Sequence, residues 1–201
     1  MVVIGLTGGV GAGKDEAARV LKKLGAHIID ADKTGHRLLV NNRSLQKKLI
    51  NVFGRRILDS RGRIDRKELG RIAFSSRAKM KILNRAIRPL MAKEFKKETA
   101  LCGKKGRKAV VLNAAILFEA GWDKLVGRII LITSPKELRL KRLKKRGIPR
   151  KKALAMISSQ WPDARKAKKA DMVVRNDSSL KKLTEKTRVA FINLICMHPI
   201  S

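Results

Sequence analysis

The chain has 201 residues, long enough for one well-packed core with small appended lobes. Its 49 Lys and Arg outnumber 16 Asp and Glu, a formal net charge of +33. Such a field selects anionic partners, from nucleotides and phosphorylated cofactors to nucleic acid, while the lack of an 18-residue apolar run excludes a membrane-spanning helix.

In chain order, Val2–Thr7 reads as a buried strand that feeds the glycine-rich run Gly8-Gly9-Val10-Gly11-Ala12-Gly13-Lys14. A helix is predicted from Lys14 to about Leu24 and ends at Gly25, followed by a short strand at 26–29 running into Asp30-Ala31-Asp32. Residues 33–103 carry apolar positions at helical spacing in three sets: Leu45, Leu49, Val52 and Phe53; Leu69, Ile72 and Phe74; Ile82, Leu83, Ile87, Leu90 and Phe95. Gly54 to Gly62 is a turn-rich break, and Asp65 is placed as a helix N-cap.

Strands resume at 109–112 and 128–133, both apolar enough to be buried on two faces. Ser134-Pro135 is read as the N-cap and first position of a helix carrying Arg139, Arg142 and Arg146. After Gly147-Ile148-Pro149 a second helix runs to about Gln160. Met172–Val174 is the last strand, and Ser178 or Ser179 caps a final helix reaching about Cys196. This alternation predicts an α/β fold built on a parallel sheet, with the helical stretch after the second strand as an inserted lobe.

Strand, glycine turn, lysine and helix form the arrangement of a phosphate-binding P-loop. Gly8, Gly11 and Gly13 allow positive φ, so successive N–H groups can face an anion, and the helix start adds partial positive charge. Lys14 reaches the outer phosphates as a flexible point charge. Asp15 stands where Ser or Thr ordinarily holds Mg²⁺. A carboxylate can ligate that ion, yet it also adds negative charge beside the phosphates.

Asp30 and Asp32 follow the second strand, where α/β sheets place their ligands; capping of the next helix is the alternative. Arg142 and Arg146 are four residues apart and share a helix face, suited to an anion between them or to solvent. Arg139 and Lys166 are weaker candidates of the same kind. Asn176, after the last strand, can read an adenine edge or form a turn. Leu117 and Phe118 are assigned to the core. Cys102, Cys196, His27, His36 and His198 have no motif spacing, so reduced thiols are expected and a zinc centre is not. The N-terminus lacks the pattern of a signal peptide, and a cytoplasmic setting is expected. With aromatics at 3% and no Tyr, nucleic acid is expected to bind only non-specifically through the basic surface.

The series Thr7 to Lys14, Asp30-Ala31-Asp32, Ile116-Leu117-Phe118-Glu119, Arg142 and Arg146, Gln160 and Ala170 to Asn176 resembles, in one order, the dephospho-coenzyme A kinase family. The resemblance runs from residue 3 to about 190. It implies a P-loop kinase three-layer sandwich with a five-stranded parallel sheet. The nucleotide-binding core would comprise 1–32, 106–137 and 167–201, with a helical substrate lobe at 33–105 and a lid at 138–166.

The implied reaction transfers the γ-phosphoryl group of ATP, with Mg²⁺, to the ribose 3′-hydroxyl of dephospho-coenzyme A. By the same resemblance, Gly9, Val10, Gly11, Ala12, Gly13, Lys14, Asp15, Glu16, Arg142, Arg146 and Asn176 face ATP. Asp32, Lys14 and Arg142 serve catalysis, and Asp30, Asp32, Arg66, Arg88 and Glu119 face the acceptor. Asp15 would hold the metal, and a monomer or weak oligomer is expected. The sequence departs from the family pattern at Asp15, at Arg88-Pro89 (usually His-Pro) and at Ala114-Ala115, where Pro is common. The remaining alternatives are a P-loop kinase for another small acceptor and a P-loop protein that binds anions or nucleic acid without catalysis.

Overall fold

The structure, a computed structural model, describes residues 1–196; His198 lies outside the described residues. In chain order its elements are β1 (Val2–Gly8), α1 (Lys14–Lys23), β2 (His27–Asp30), α2 (Ala31–Asn41), α3 (Arg43–Phe53), α4 (Arg66–Phe74) and α5 (Arg77–Lys104). They continue with β3 (Ala109–Asn113), β4 (Arg128–Thr133), α6 (Lys136–Lys145), α7 (Arg150–Ser158), α8 (Asp163–Ala167), β5 (Met172–Arg175) and α9 (Leu180–Cys196).

The five strands form one parallel sheet in the order β2-β3-β1-β4-β5. Parallel neighbours need crossover connections, which the helices supply, and the central strands are largely buried. β3 is buried at all five positions, and β1 at six of seven. Register pairs Leu6 with Asn113 and Gly8 with Ile132, which brings the carboxyl ends of β1, β3 and β4 together under the glycine loop. Ala17, Ala18 and Leu21 of α1 and Leu183, Ala190, Phe191 and Leu194 of α9 share one core cluster with Ile4, Leu6, Val111 and Ile130.

The chain divides into two units: Met1–Asp30 with everything from Glu98 onward, and Ala31–Lys97. The second unit is helical. Asn42 caps α3 by accepting from the Leu45 N–H at 2.8 Å. Asp65 caps α4 as predicted, accepting from the N–H groups of Lys67 (2.8 Å) and Glu68 (3.2 Å). The break at 54–62 contains a 3₁₀ turn, Arg55–Ile57, and an isolated bridge from Leu58 to Ile64.

Local expectations are corrected at Phe74 and at the start of α6. Phe74 is 77% exposed whereas Leu69 and Ile72 are buried, because two residues beyond Ile72 is about 200° around a helix. α6 begins at Lys136, with Pro135 at its N-cap and no side-chain cap. The buried Ser134 hydroxyl instead donates to the Asn176 carbonyl at 2.7 Å, tying the end of β4 to the end of β5. The helix after Pro149 stops at Ser158. Beyond it, the five-residue α8 is too short to show a period and escapes sequence reading.

Candidate active site

The glycine run leaves β1 and turns back on itself, the Ala12 N–H donating to the Gly9 carbonyl at 2.9 Å. Gly11 (φ 77°) and Gly13 (φ 99°) occupy the left-handed region, which a side chain would strain. Gly13 is the N-cap of α1, its carbonyl accepting from Glu16 and Ala17. Among the described residues, the N–H groups of Gly11 and Gly13 donate to no protein acceptor. With the first N–H groups of α1, which have no intrahelical partner, they form a cluster of donors suited to an anion.

Lys14 extends from the helix start with its side chain 12% exposed. Its ammonium donates to Asn113 Oδ1 at 2.6 Å and to Asp15 Oδ1 at 3.1 Å. Asn113 ends β3, beside the loop strand in the sheet; a lone polar residue closing an apolar strand was the signal that sequence reading passed over. Asp15 is 59% exposed. Burial pushes its carboxyl up, but the Lys14 charge and hydrogen bond, the Arg146 charge and the Asn113 amide outweigh this and hold it below the usual carboxylate range. Glu16, in the first turn of α1, pairs with Arg19.

The carbonyls of Val10, Gly11 and Ala12 are held by side chains from outside the loop. Arg142 donates through one terminal nitrogen to Gly11 O (3.2 Å), Ala12 O (3.4 Å) and Ser134 Oγ (2.9 Å), and through the other to Asn176 O (3.3 Å). The Asn176 amide donates to Ala12 O at 2.7 Å. Arg139 Nε donates to Val10 O at 2.8 Å, and the Val10 N–H donates to Gln160 Oε1 at 2.9 Å. The Val10 side chain packs on Leu140, Leu143 and Ala153, the apolar seam of α6 and α7. Arg142 is thus engaged with loop carbonyls, whereas Arg146, at the C-cap of α6, is exposed. Burial pulls the Arg142 and Arg139 guanidinium groups below their ordinary value.

Lys166 is not an exposed cation available to a phosphate. It is fully buried, donating to Ala115 O and paired with Glu119 Oε1, both at 3.0 Å, which corrects its sequence assignment. Glu119 Oε1 also accepts from the Trp161 N–H at 2.8 Å. Trp161 stacks on Phe118 with ring centroids 6.1 Å apart, and the Arg165 guanidinium carbon lies 3.5 Å from the Trp161 ring centroid. Leu117 and Phe118 are buried, as assigned.

Asp30 closes β2 in register with Asn113 and, like Glu119, belongs to the first unit. Asp32 lies exposed in the first turn of α2, Arg66 is the first residue of α4, and Arg88 is half-buried within α5; all three belong to the second unit.

Asp15 fits a Mg²⁺ ligand by its chemistry: it is an ionised, largely exposed oxygen donor in the first turn of α1, beside Lys14. Mg²⁺ in such sites takes one or two carboxylates and completes its shell with phosphate and water oxygens. Among the described residues, no group of three or more His, Cys, Asp or Glu is arranged to hold a metal.

The dephospho-CoA kinase family pattern matches residues 2–182. A dephospho-CoA kinase of Dehalococcoides mccartyi is 40% identical over 178 residues, covering 88% of this chain and 89% of that protein. One from Carboxydothermus hydrogenoformans is 40% identical over 184 residues, covering 91% and 89%. The solved dephospho-CoA kinase of Campylobacter jejuni superposes with a TM-score of 0.72 at 27% identity, over 96% of this chain and 97% of that one. A shikimate kinase of Acinetobacter baumannii, 15% identical with a TM-score of 0.53 over 100% and 96%, shares the fold. On this evidence the chain belongs to the dephospho-CoA kinase family.

Proposed function

We propose that this chain transfers the γ-phosphoryl group of ATP to the ribose 3′-hydroxyl of dephospho-coenzyme A, giving coenzyme A and ADP. The observation that carries this reading is the cluster of unpaired loop N–H groups ending in Lys14, in a chain whose relatives are dephospho-CoA kinases. Phosphoryl transfer needs alignment and charge neutralisation more than covalent help. The N–H groups of Gly11, Gly13 and the start of α1 bind the phosphates. Lys14 exchanges Asn113 and Asp15 for phosphate oxygens, and Arg146 brings a further cation from the end of α6.

Asp32 aligns the acceptor hydroxyl and takes its proton as the ribose oxygen bonds to phosphorus and the bond to the ADP oxygen breaks. Arg66, Arg88, Asp30 and Glu119 serve the acceptor side. Residues 33–105 act as the substrate lobe, and 138–166 as the lid. Mg²⁺, held by Asp15 and phosphate oxygens, would supply charge neutralisation across the transferred group. Free Cys102 and Cys196 support a reducing, cytoplasmic setting.

The test is incubation with ATP, dephospho-coenzyme A and Mg²⁺ or Mn²⁺, with ADP and the 3′-phosphorylated product separated by chromatography. Product with either metal is expected. No product with either overturns the reading, and turnover of a nucleoside monophosphate instead assigns a different acceptor.

A further inference from the structure

Arg139 has no task in the transfer just described, yet it is among the best-buried cations of the chain, with its side chain 8% exposed. Its Nε–H donates to Val10 O at 2.8 Å, and a terminal nitrogen lies 3.5 Å from an Asp163 carboxylate oxygen. The guanidinium also fills the space beside Gly9, where a Cβ would collide with it. Gln160 holds the opposite side of the same residue by accepting from the Val10 N–H. The two peptides flanking Val10 are therefore fixed by side chains from outside the loop.

In a planar trans peptide the carbonyl and the N–H point in opposite directions. Holding Val10 O outward therefore holds the Gly11 N–H inward, and that N–H has no protein acceptor among the described residues. Gly11 sits at φ 77°, and a glycine there has several other conformations open to it. Without an external hold, rotation of the Val10–Gly11 peptide would turn a carbonyl dipole toward the anion.

We propose that Arg139, anchored by Asp163, is a positioning residue for nucleotide binding: it orients the Val10–Gly11 peptide so that the Gly11 N–H faces the phosphates. Arg139 does not touch the nucleotide in this arrangement; it acts through Val10. The proposal rests on the nucleotide site described above but not on the identity of the acceptor.

The test uses Arg139→Leu, Arg139→Gln and Asp163→Asn in the full chain. ADP affinity is measured by calorimetry, the KM of each substrate by initial rates, and folding by thermal unfolding. Loss of a hydrogen bond to a charged donor predicts roughly tenfold weaker ADP binding and a matching rise in the ATP KM for Arg139→Leu. The KM for dephospho-coenzyme A should stay within about twofold. Arg139→Gln keeps an N–H donor for Val10 O and should recover most of the affinity, while Asp163→Asn should fall between wild type and Leu.

Folded Arg139→Leu with wild-type ADP affinity overturns the proposal. So does an equal rise in both KM values, or a Gln variant as weak as Leu. Should Arg139→Leu fail to fold, the other two variants decide by the same readouts: wild-type ADP affinity in Asp163→Asn, or loss of about tenfold in Arg139→Gln, overturns it. ADP binding needs no acceptor, so failure of the wild type to phosphorylate dephospho-coenzyme A would remove the proposed function and leave this test standing.

Discussion

The Lys14 ammonium lies 2.6 Å from Asn113 Oδ1 and 3.1 Å from Asp15 Oδ1, so the loop lysine is held by two protein oxygens. One is neutral and belongs to the next strand; the other is charged and replaces a hydroxyl residue. Binding a phosphate means exchanging those partners for phosphate oxygens, so the ammonium passes from protein oxygens to phosphate oxygens without losing its acceptors. Lys14→Met is expected to lower kcat by about 10²–10³, the usual loss for a charge-stabilising donor. Asn113→Ala leaves Asp15 in place and should cost under about tenfold, as initial rates at saturating ATP would show.

Asp15 sets the metal dependence. Asp15→Asn keeps the side-chain volume but removes the charge, so a several-fold higher Mg²⁺ requirement is expected. Both the Mg²⁺ dependence of initial rates and Mn²⁺ binding to the ADP complex, followed by electron paramagnetic resonance, measure it. The pH sign is set by the direction of its shift. Burial raises its pKa but Lys14 and Arg146 depress it further, so its contribution to stability is fully present above the ordinary Asp value of about 3.9 and is lost as pH falls through the depressed one. The difference in Tm between wild type and Asp15→Asn should be flat from about pH 5 to 8 and shrink only in stronger acid.

Asp32→Asn tests the proposed hydroxyl partner. Turnover should fall by about 10²–10⁴, the range for a lost general base, with ADP affinity unchanged within about twofold. A variant that retains wild-type turnover removes Asp32 from the mechanism and returns it to the alternative of a helix-start residue.

Lys166 separates structural from phosphate-binding cations. Its fully buried ammonium is paired with Glu119, 11% exposed, and removing one partner of such a pair costs about 3–5 kcal/mol. Lys166→Met is therefore expected to lower the urea midpoint markedly. At low temperature, where the variant stays folded, ADP affinity should match wild type.

Much of the fold was legible because burial writes itself locally. The apolar runs at 2–7, 109–112 and 128–133 are buried on both faces and could be read without neighbours. Asp65 was recognisable as a cap for the same reason: its partners, Lys67 and Glu68, are two and three residues away. Phe74 shows the limit, since an apolar residue near a helical stripe is not thereby on it.

The phosphate loop was likewise contained in consecutive residues, because glycines, lysine and helix start act through their own backbone. What holds that loop was not. Arg139 and Val10 are 129 positions apart, Asn176 and Ala12 164, and Lys14 and Asn113 99. Basic residues are so frequent in this chain that composition could not say which turn inward; Lys166 and Arg139 do, and Arg146 stays in solvent. Local periodicity and turn chemistry suffice to specify strands, helices and an anion-binding loop. The direction of each long polar side chain is a property of partners delivered by the parallel sheet, and it exists only once β1, β3 and β4 lie side by side.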